Sequence, residues 1–300
     1  MQSAFMRPLP AISREDWQAR ADQIRKASLP LVIPSALSAG AIQSWNPTKF
    51  ADAYPDKQVQ ISVSLPSHGV PYREPVAGHQ QSVSIPELVR MLENGAACYL
   101  NQSRLANFKE FERDLHLVDL CRGKIIGTNL WIGGKTRSGL HYDNADNLFL
   151  QIFGYKRALL IDPRYSRNLY PFTDSPTKSQ LDPEFPDLKR YPRFARCETW
   201  NCALGPGDAI YIPRGWWHFI GSENVSVSVN CWHGNILSQT DRRRRFLESG
   251  PRVVLRGAWD FCWHGMIGRP QRQRLFSPKS PGLQAYERLK RWWLSPGSEF

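Results

Sequence analysis

Short runs of alternating hydrophobic and polar residues fill the middle of the chain. In VSVSV, residues 225–229, valines and serines alternate with the period of two that places them on opposite faces of a strand. Similar runs, among them TNLWIGG, NLFLQIFG and GDAIYIP, are separated by glycine and proline. Many short strands with such punctuation favour a β-sandwich or barrel over a sheet built from βαβ units.

Helix signals flank this β-rich stretch. Ser13 and Ser84 each begin a Ser-x-x-acid motif, in which the serine side chain caps a helix N-terminus. Beyond the β pattern, segments such as AYERLKRWW favour helices. We therefore expect a mainly β chain with flanking helices in three parts: an N-terminal α/β region (1–126) that packs on and completes the barrel, a β core (127–234), and a basic, mainly helical C-terminal region (235–300).

One long stretch inside the predicted core, residues 162–199, lacks strand periodicity and is rich in Pro, Tyr, Asp and Arg. It is interpreted as an insertion between two strands. Long loops in compact domains are often functional, so we expect this insertion to form or flank the entrance of a site.

Composition allows a sizeable core, and charge is concentrated at one end. Of the 300 residues, 41% are hydrophobic and 12% aromatic. The net charge is +12, and residues 241–300 supply +8 of it, with thirteen Lys/Arg against five Asp/Glu. Such a region can attract an acidic partner, a nucleic acid or an anionic membrane surface, although a solvated face is the commoner explanation.

Cysteine usage and the distribution of apolar residues bear on location. The six cysteines form no C-x-x-C motif and no framework spacing, which favours a reducing environment. The N-terminal MQSAFMRPLPAISRED lacks the apolar run of a secretory signal, and no stretch approaches the length of about 20 apolar residues that spans a bilayer. We expect a cytoplasmic protein without a transmembrane segment.

A histidine and an aspartate stand two positions apart in GLHYDNADN, as His141 and Asp143. On an extended chain, residues i and i+2 point to the same side, so the two side chains can aim at one point. His218, in GDAIYIPRGWWHF, is the best candidate for a third ligand. Two histidines and one carboxylate on one face of an octahedral metal leave three positions open, the arrangement of non-haem Fe(II) oxygenases. Alone, the short motif is more often a surface turn.

A lysine inside an apolar run strengthens this hypothesis. Lys156 stands in LQIFGYKRALLIDP, and a buried ammonium is unfavourable unless it is paired. An incoming dicarboxylate could supply the partner. Asn147 and Asn230 offer amides that can donate to a carboxylate, although either could equally be a satisfied buried amide.

Several phrases follow one another between Gly127 and Gly234 in a recognisable order. HYDNADNLFLQIFGYKR is followed by LYPF, SQLDPEFPDLKRYPRF, LGPGDAIYIPRGWWHF and VSVNCW. This succession resembles the JmjC/cupin-like 2-oxoglutarate oxygenases, and most the subgroup of the asparaginyl hydroxylase factor inhibiting HIF. The resemblance implies a double-stranded β-helix, or jelly-roll, that holds Fe(II) on His141, Asp143 and His218.

The same resemblance assigns residues to the cosubstrate 2-oxoglutarate. It implies that Lys156 pairs with the distal carboxylate, helped by the Ser138 hydroxyl and the Tyr99 phenol. It further implies that Asn147 and Asn230 lie near the iron-bound end of the cosubstrate, with Trp232 packed close by. For Trp232, core filling is the alternative that the sequence alone favours.

The implied reaction consumes O2 and 2-oxoglutarate, hydroxylates an unactivated C–H bond of a protein, peptide or small molecule, and releases succinate and CO2. N-demethylation by the same chemistry, with loss of formaldehyde, is an alternative. Another is a non-catalytic cupin-fold protein that binds nucleic acid through its basic C-terminal region. The four arginines at 242–245 would spread around a helix, which supports specific nucleic-acid recognition only weakly.

Oligomeric state is left open by the sequence. Trp292, Trp293 and Leu294 could pack against a second subunit, giving a homodimer through the C-terminal region, or against their own barrel. The histidines outside the candidate site are interpreted as surface or packing residues: His68, His79, His116, His233 and His264. For His233, which follows Trp232, a contact with substrate is the alternative.

Overall fold

The computed structural model describes most of the chain. The described residues are 6–38, 40, 42, 45–66, 68–115, 117, 120–121, 123–272, 274–277 and 279–294. His116, predicted to be a surface or packing residue, lies outside them.

Strands dominate the middle of the chain and helices lie at both ends. The strands are β1 (Met6–Pro8), β2 (Leu31–Ile33), β3 (Gln58–Val63), β4 (Gln80–Ser84), β5 (Cys98–Arg104), β6 (Ile125–Gly134), β7 (Thr136–Arg137), β8 (Ala145–Phe153), β9 (Lys156–Ile161), β10 (Thr199–Leu204), β11 (Ala209–Ile212), β12 (Trp217–Ser222) and β13 (Ser226–Ile236). The α-helices are α1 (Arg14–Ala27), α2 (Pro47–Ala53), α3 (Ile85–Glu93), α4 (Lys109–Leu115), α5 (Gln239–Glu248), α6 (Pro251–Asp260) and α7 (Pro281–Leu294), with a π-helical turn at Phe261–Met266.

Both predicted serine caps are present. The Ser13 side chain accepts a hydrogen bond from the Asp16 amide at the start of α1, and the Ser84 side chain accepts one from the Glu87 amide at the start of α3. These bonds satisfy amide groups that the first helical turn leaves without an intrahelical partner. The two predictions of helix starts are confirmed.

The strands form two sheets. One has five strands in the order β1-β10-β9-β12-β7, and the other has eight in the order β2-β11-β8-β13-β6-β5-β3-β4. Pairing is antiparallel between core neighbours such as β8 and β13, whereas β1 runs parallel to β10. Together with the flanking helices, these sheets form the jelly-roll that the sequence predicts, and that prediction is confirmed.

Strands β2 to β5 come from the first 126 residues and extend the eight-stranded sheet. Their outward side chains, together with those of the core strands, pack against α1 to α4. Trp17 of α1, for example, is fully buried and donates from its indole to the Leu120 carbonyl at 2.9 Å. The three-part division of the chain stays a prediction.

Alternation along β13 separates two buried environments. Val227 and Val229 belong to the cluster packed against the helices, and Ser226 and Ser228 lie on the opposite face. All four side chains are fully buried, so the serine face lines the inside of the barrel rather than solvent. The Ser228 hydroxyl donates to the Gln151 side chain at 2.8 Å, which satisfies it there.

The insertion at 162–199 covers the outer face of the five-stranded sheet. Its Leu169 and Phe194 pack with Leu159 of β9 and with Trp217 of β12. Alternate residues of a strand point to opposite faces. Because Leu159 and Trp217 face the insertion, Lys156 and His218 point to the inside of the barrel.

The C-terminal helices leave apolar side chains exposed. On α6 and the π-helical turn, the rings of Trp259 and Trp263 stack at 5.2 Å. Within the described residues, no helix combines the length and the apolar character that crossing a membrane requires. The exposed apolar residues of this region include Leu255, Trp259, Trp263, Met266, Ile267, Leu289, Trp292, Trp293 and Leu294.

Candidate metal centre

Two histidines face each other across neighbouring chain segments. The His141 amide donates to the His218 carbonyl at 3.0 Å, and the His218 amide donates back to the His141 carbonyl at 2.6 Å. Directly paired residues in an antiparallel ladder carry their side chains on the same face, and here the two rings lie 4.3 Å apart. Asp143, two positions beyond His141, brings its Oδ2 to 3.8 Å from His218 Nε2. The potential ligand atoms of all three residues lie within 4.8 Å of one another.

The imidazoles are oriented by backbone carbonyls. Nδ1 of His141 lies 3.0 Å from the Gly139 carbonyl oxygen, and Nδ1 of His218 lies 3.0 Å from that of Trp216. With the proton on Nδ1, each ring presents a lone pair on Nε2 to the shared space. Burial, and then the neighbouring His218, lower the pKa of His141 to about 3, so this ring is neutral at physiological pH. A neutral imidazole is the form that binds a metal.

The Asp143 carboxylate is held by two side chains. The indole of Trp232 donates to Oδ2 at 3.0 Å, and the amide of Asn147 donates to the same oxygen at 3.2 Å. Burial raises the pKa of Asp143, but the neighbouring imidazoles of His218 and His141 and the Trp232 indole outweigh it, and the net pKa lies below the ordinary value. The carboxylate is therefore ionised and fixed in direction.

A chain of amides continues from this carboxylate across the inside of the barrel. The Asn230 amide donates to the Asn147 side-chain oxygen at 3.2 Å. The Asn230 oxygen in turn accepts from the Trp131 indole at 2.8 Å and from the Asn129 amide at 3.2 Å. Buried polar groups that satisfy one another in this way make a rigid network, so the orientation of Asp143 depends on several strands.

Lys156 lies on the inner face of β9 and is only 2% exposed. Its ammonium lies 5.4 Å from the ring centroid of Tyr99 and 5.3 Å from that of Phe149. Within the described residues it forms no ion pair, and burial lowers the pKa of Lys156 to about 7. A cation held over aromatic faces without a carboxylate is prepared for an anionic ligand.

The two hydroxyl-bearing candidates differ in their surroundings. Tyr99 is buried beneath Lys156, and burial raises the pKa of its phenol. The Ser138 hydroxyl accepts from the Ile220 amide at 2.9 Å and donates to the Gly139 carbonyl at 2.9 Å. Its donor is thus used by the backbone, and a role of Ser138 toward 2-oxoglutarate stays a prediction.

Two side chains of this site were not predicted from the sequence. The Tyr72 hydroxyl donates to the Ser138 carbonyl, and its ring lies 6.2 Å from that of His141. Lys178, from the insertion, holds its ammonium 4.2 Å from the Tyr72 ring centroid, and burial lowers the pKa of Lys178 to about 8. Tyr72 follows no local signal, whereas Lys178 lies beside the phrase SQLDPEFPDLKRYPRF, which could have directed attention to it.

An ion-pair cluster fixes the insertion to the strand before the first histidine. The guanidinium of Arg137 forms two hydrogen bonds with the Asp182 carboxylate, at 2.7 and 2.8 Å, and a third with Glu184 at 2.8 Å. The three side chains are nearly buried. A paired guanidinium of this geometry is directional, so it sets the position of the insertion relative to His141.

The sequence matches the family described as a cupin-like domain over residues 17–239. It is 36% identical over 149 residues to lysine-specific demethylase 8 of Xenopus tropicalis, a match that covers 47% of this chain and 33% of that protein. It is also 36% identical over 150 residues to human tRNA wybutosine-synthesizing protein 5, covering 49% of this chain and 44% of that protein. The chain thus spans between a third and a half of the length of these relatives.

Replacing Trp232 with phenylalanine tests the support of the carboxylate. The change keeps an aromatic ring but removes the donor to Asp143, so we expect the affinity for Fe(II), or for Mn(II) as a surrogate, to fall roughly 10- to 100-fold in anaerobic titration calorimetry.

Trp45 provides the matched control, because its indole donates to the Asp114 carboxylate at 2.9 Å among the N-terminal helices. Trp45→Phe should leave metal affinity unchanged. Equal affinities of wild type and Trp232→Phe would contradict the assigned role.

Proposed function

The chain belongs to the cupin-like domain family, and on this premise we propose that it is an Fe(II)- and 2-oxoglutarate-dependent dioxygenase. The proposed reaction hydroxylates an unactivated C–H bond of a protein or peptide side chain, or of a small molecule, with release of succinate and CO2. The observation that carries this proposal is the convergence of His141, Asp143 and His218 on the inside of the jelly-roll, with the buried Lys156 on the same inner surface.

The donor set fits a ferrous ion. Two imidazoles with Nδ1 engaged by carbonyls and one ionised carboxylate are the ligands of the two-histidine, one-carboxylate arrangement. We propose that His141, Asp143 and His218 hold Fe(II). When bound, iron together with 2-oxoglutarate and O2 supplies the oxidising power for attack on a C–H bond.

The cation on β9 fits the cosubstrate. We assign Lys156 to the distal carboxylate of 2-oxoglutarate, with the Tyr99 phenol as a further donor and the Ser138 hydroxyl as another once it releases the Gly139 carbonyl. An ammonium that has aromatic neighbours but no carboxylate partner among the described residues gains most from such an anion. The remaining assigned neighbours, toward the metal-bound end, are Asn147, Asn230 and Trp232.

The protein's own contribution to the reaction is positioning and exclusion of water. Trp232 and Asn147 keep the Asp143 carboxylate in one orientation, and Lys156 fixes the far end of the cosubstrate. The apolar residues around them keep the site dry, which strengthens these charge interactions. Attack on a C–H bond needs no general base from the protein, so none is assigned.

Two alternatives remain distinguishable by experiment. N-demethylation uses the same site, and some relatives are named lysine-specific demethylases. A nucleic-acid partner has support from two relatives named for tRNA wybutosine synthesis and from a basic cavity of about 420 Å³. The residues lining that cavity include Arg73, Arg256, His264, Arg272 and Arg274, with Asp174 as an acidic member.

We also propose that the protein forms a homodimer through its C-terminal helices. Leu255, Trp259 and Trp263 recur every four residues, so they form one apolar stripe along α6 and the π-helical turn. Their exposed fractions are 70%, 54% and 38%. Exposed apolar surface of this extent marks interaction sites, and a second copy presents the same stripe. We further propose a cytoplasmic location, which is favoured by the sequence spacing of the six cysteines.

Turnover without substrate tests the oxygenase assignment. Protein supplied with Fe(II), ascorbate and 2-oxoglutarate should form succinate slowly, and His141→Ala and Asp143→Ala should abolish this reaction because each removes a metal ligand. Parallel assays for formaldehyde and for a mass gain of one oxygen atom in candidate substrates separate demethylation from hydroxylation. No succinate from metal-loaded wild type would favour a non-catalytic binding protein.

Lys156 should make cosubstrate binding dependent on pH. With a pKa of about 7 in the free protein, the ammonium is present below that pH and lost above it, so an anion binds best on the acid side. We expect the apparent KM for 2-oxoglutarate to rise up to about tenfold per pH unit above 7. Lys156→Met should raise KM at least about tenfold at pH 7.

Lys156→Arg separates this titration from that of the metal ligands, because a guanidinium keeps its charge over the same pH range. Its KM should stay nearly constant between about pH 7 and pH 9. A KM for wild type that does not change over this range would contradict the assigned role.

Light scattering coupled to size exclusion tests the dimer. One chain has a mass of 34.4 kDa, and wild type should elute with twice this mass. Trp259→Ser should shift the protein toward the monomer because the substitution interrupts the apolar stripe. Tyr155→Ser removes an even more exposed ring, 67% against 54% for Trp259, from the turn between β8 and β9 and should leave the dimer intact. A monomeric wild type would refute the proposal.

A further inference from the structure

Lys178 stands in the same cross-strand row as the two histidines of the metal centre. It forms a β-bridge with His141, which in turn forms one with His218. Backbone hydrogen bonds of 3.0 and 2.9 Å flank the bridge between Lys178 and His141 on either side. Directly opposed residues of an antiparallel pair carry their side chains on the same face. The ammonium of Lys178 therefore rises from the face that carries the metal ligands.

The ammonium is enclosed there. Lys178 is 9% exposed, and its Nζ lies 4.2 Å from the ring centroid of Tyr72, whose ring is itself 6.2 Å from the ring of His141. Asp143 is the carboxylate that acts on Lys178 electrostatically, and Lys178 acts on Asp143 and His141 in return. Lys178 thus belongs to the immediate surroundings of the reacting position.

No acidic side chain is available to neutralise Lys178. Within the described residues Lys178 forms no ion pair. The carboxylate that interacts with it electrostatically, Asp143, is assigned to the metal. Asp174, four residues earlier on the insertion, is bound to Arg274. Since an enclosed ammonium without an anion is unfavourable, this position favours an anionic group brought in from outside.

The cosubstrate does not fill this need. Its distal carboxylate is assigned to Lys156 on β9, whereas Lys178 comes from the insertion and lies opposite His141. The remaining molecule that must lie beside the metal is the substrate.

We propose that Lys178 is a specificity-determining residue that binds a carboxylate of the substrate, so that the preferred target is an aspartate or glutamate side chain of a protein rather than a cationic one. This inference rests on the proposed oxygenase function. A short acidic side chain can bring its carboxylate to an enclosed ammonium while its own C–H bonds lie near the metal. A lysine or methylated lysine would place a second cation beside Lys178 and the metal, which is unfavourable at this distance.

Degenerate peptide pools test the inference without knowledge of the natural substrate. Each pool has a fixed central Asp, Glu, Asn or Lys and random flanking positions, and the full chain is loaded with Fe(II), 2-oxoglutarate and ascorbate. Succinate formed above the peptide-free rate and peptide mass gain of one oxygen are measured. We expect an acidic pool to exceed the lysine pool at least about tenfold, the factor that one charge-assisted pair supplies.

Variants at position 178 connect the preference to the ammonium. Lys178→Gln should lower the ratio of Asp to Asn turnover about tenfold, and Lys178→Arg should retain the acidic preference because the charge remains. The matched control is Lys49→Gln, since the exposed Lys49 also lies over an aromatic ring, 5.9 Å from that of Trp45, among the N-terminal helices. It should leave the ratio unchanged.

The outcomes separate this inference from the proposed function. Preferred turnover of the lysine pool, or an unchanged Asp-to-Asn ratio in Lys178→Gln, overturns it. Peptide-free succinate formation without stimulation by any pool also overturns it and leaves the oxygenase assignment standing. If Lys178→Gln does not fold, the inference is decided by two other results: the preference of wild type for acidic pools over the lysine pool, and the retention of that preference in Lys178→Arg. Absence of all succinate from metal-loaded wild type removes the proposed function itself.

Discussion

The rest of this structure depends on one constraint: the central strands are pleated, and both of their faces are buried. A period of two places every second side chain inside the barrel, and near the candidate metal centre the chain uses several of these positions for polar groups. On β13, Ser228 and Asn230 point inward while Val227 and Val229 pack against the helices. Polar groups in such a place must satisfy one another, because an unpaired one costs roughly 1–3 kcal/mol. Around Asp143 the inside of the barrel is therefore a hydrogen-bonded network, and a buried apolar cluster that includes Phe149, Ala158 and Leu160 lies beside it.

This network gives the candidate metal centre its rigidity. Asp143 lies on a short segment outside the long strands, yet its carboxylate is held by Trp232 of β13 and Asn147 of β8, and Asn147 is held by Asn230. The apolar layer on the other face of these strands contributes indirectly, since it fixes the sheet from which the donors project. The same logic applies to the insertion, which Arg137 anchors to the strand before His141.

Local pattern predicts those features that depend on period and residue type. The strands, the serine caps, the convergence of a histidine and an aspartate two positions apart, and the burial of Lys156 all follow from neighbours in sequence. The pairing of Lys178 with His141 and the approach of Tyr72 do not, because they depend on contacts between residues about 40 and 70 positions apart that no short-range signal encodes. The alternation in VSVSV predicts that the strand has a valine face and a serine face, but it does not indicate that both faces are buried.

Residues outside the long strands are where differences between members of such a fold should arise. The matched relatives carry names that refer to lysine demethylation and to wybutosine synthesis, and each of the two is 36% identical to this chain, over 149 and 150 residues. Similarity of this extent therefore does not determine the substrate, which we expect to be selected by side chains around the reacting position. In this chain those side chains include a second enclosed cation, Lys178, beside the metal ligands. If the proposed function holds, the sign of that charge limits which target side chains can approach, independently of the ligand triad.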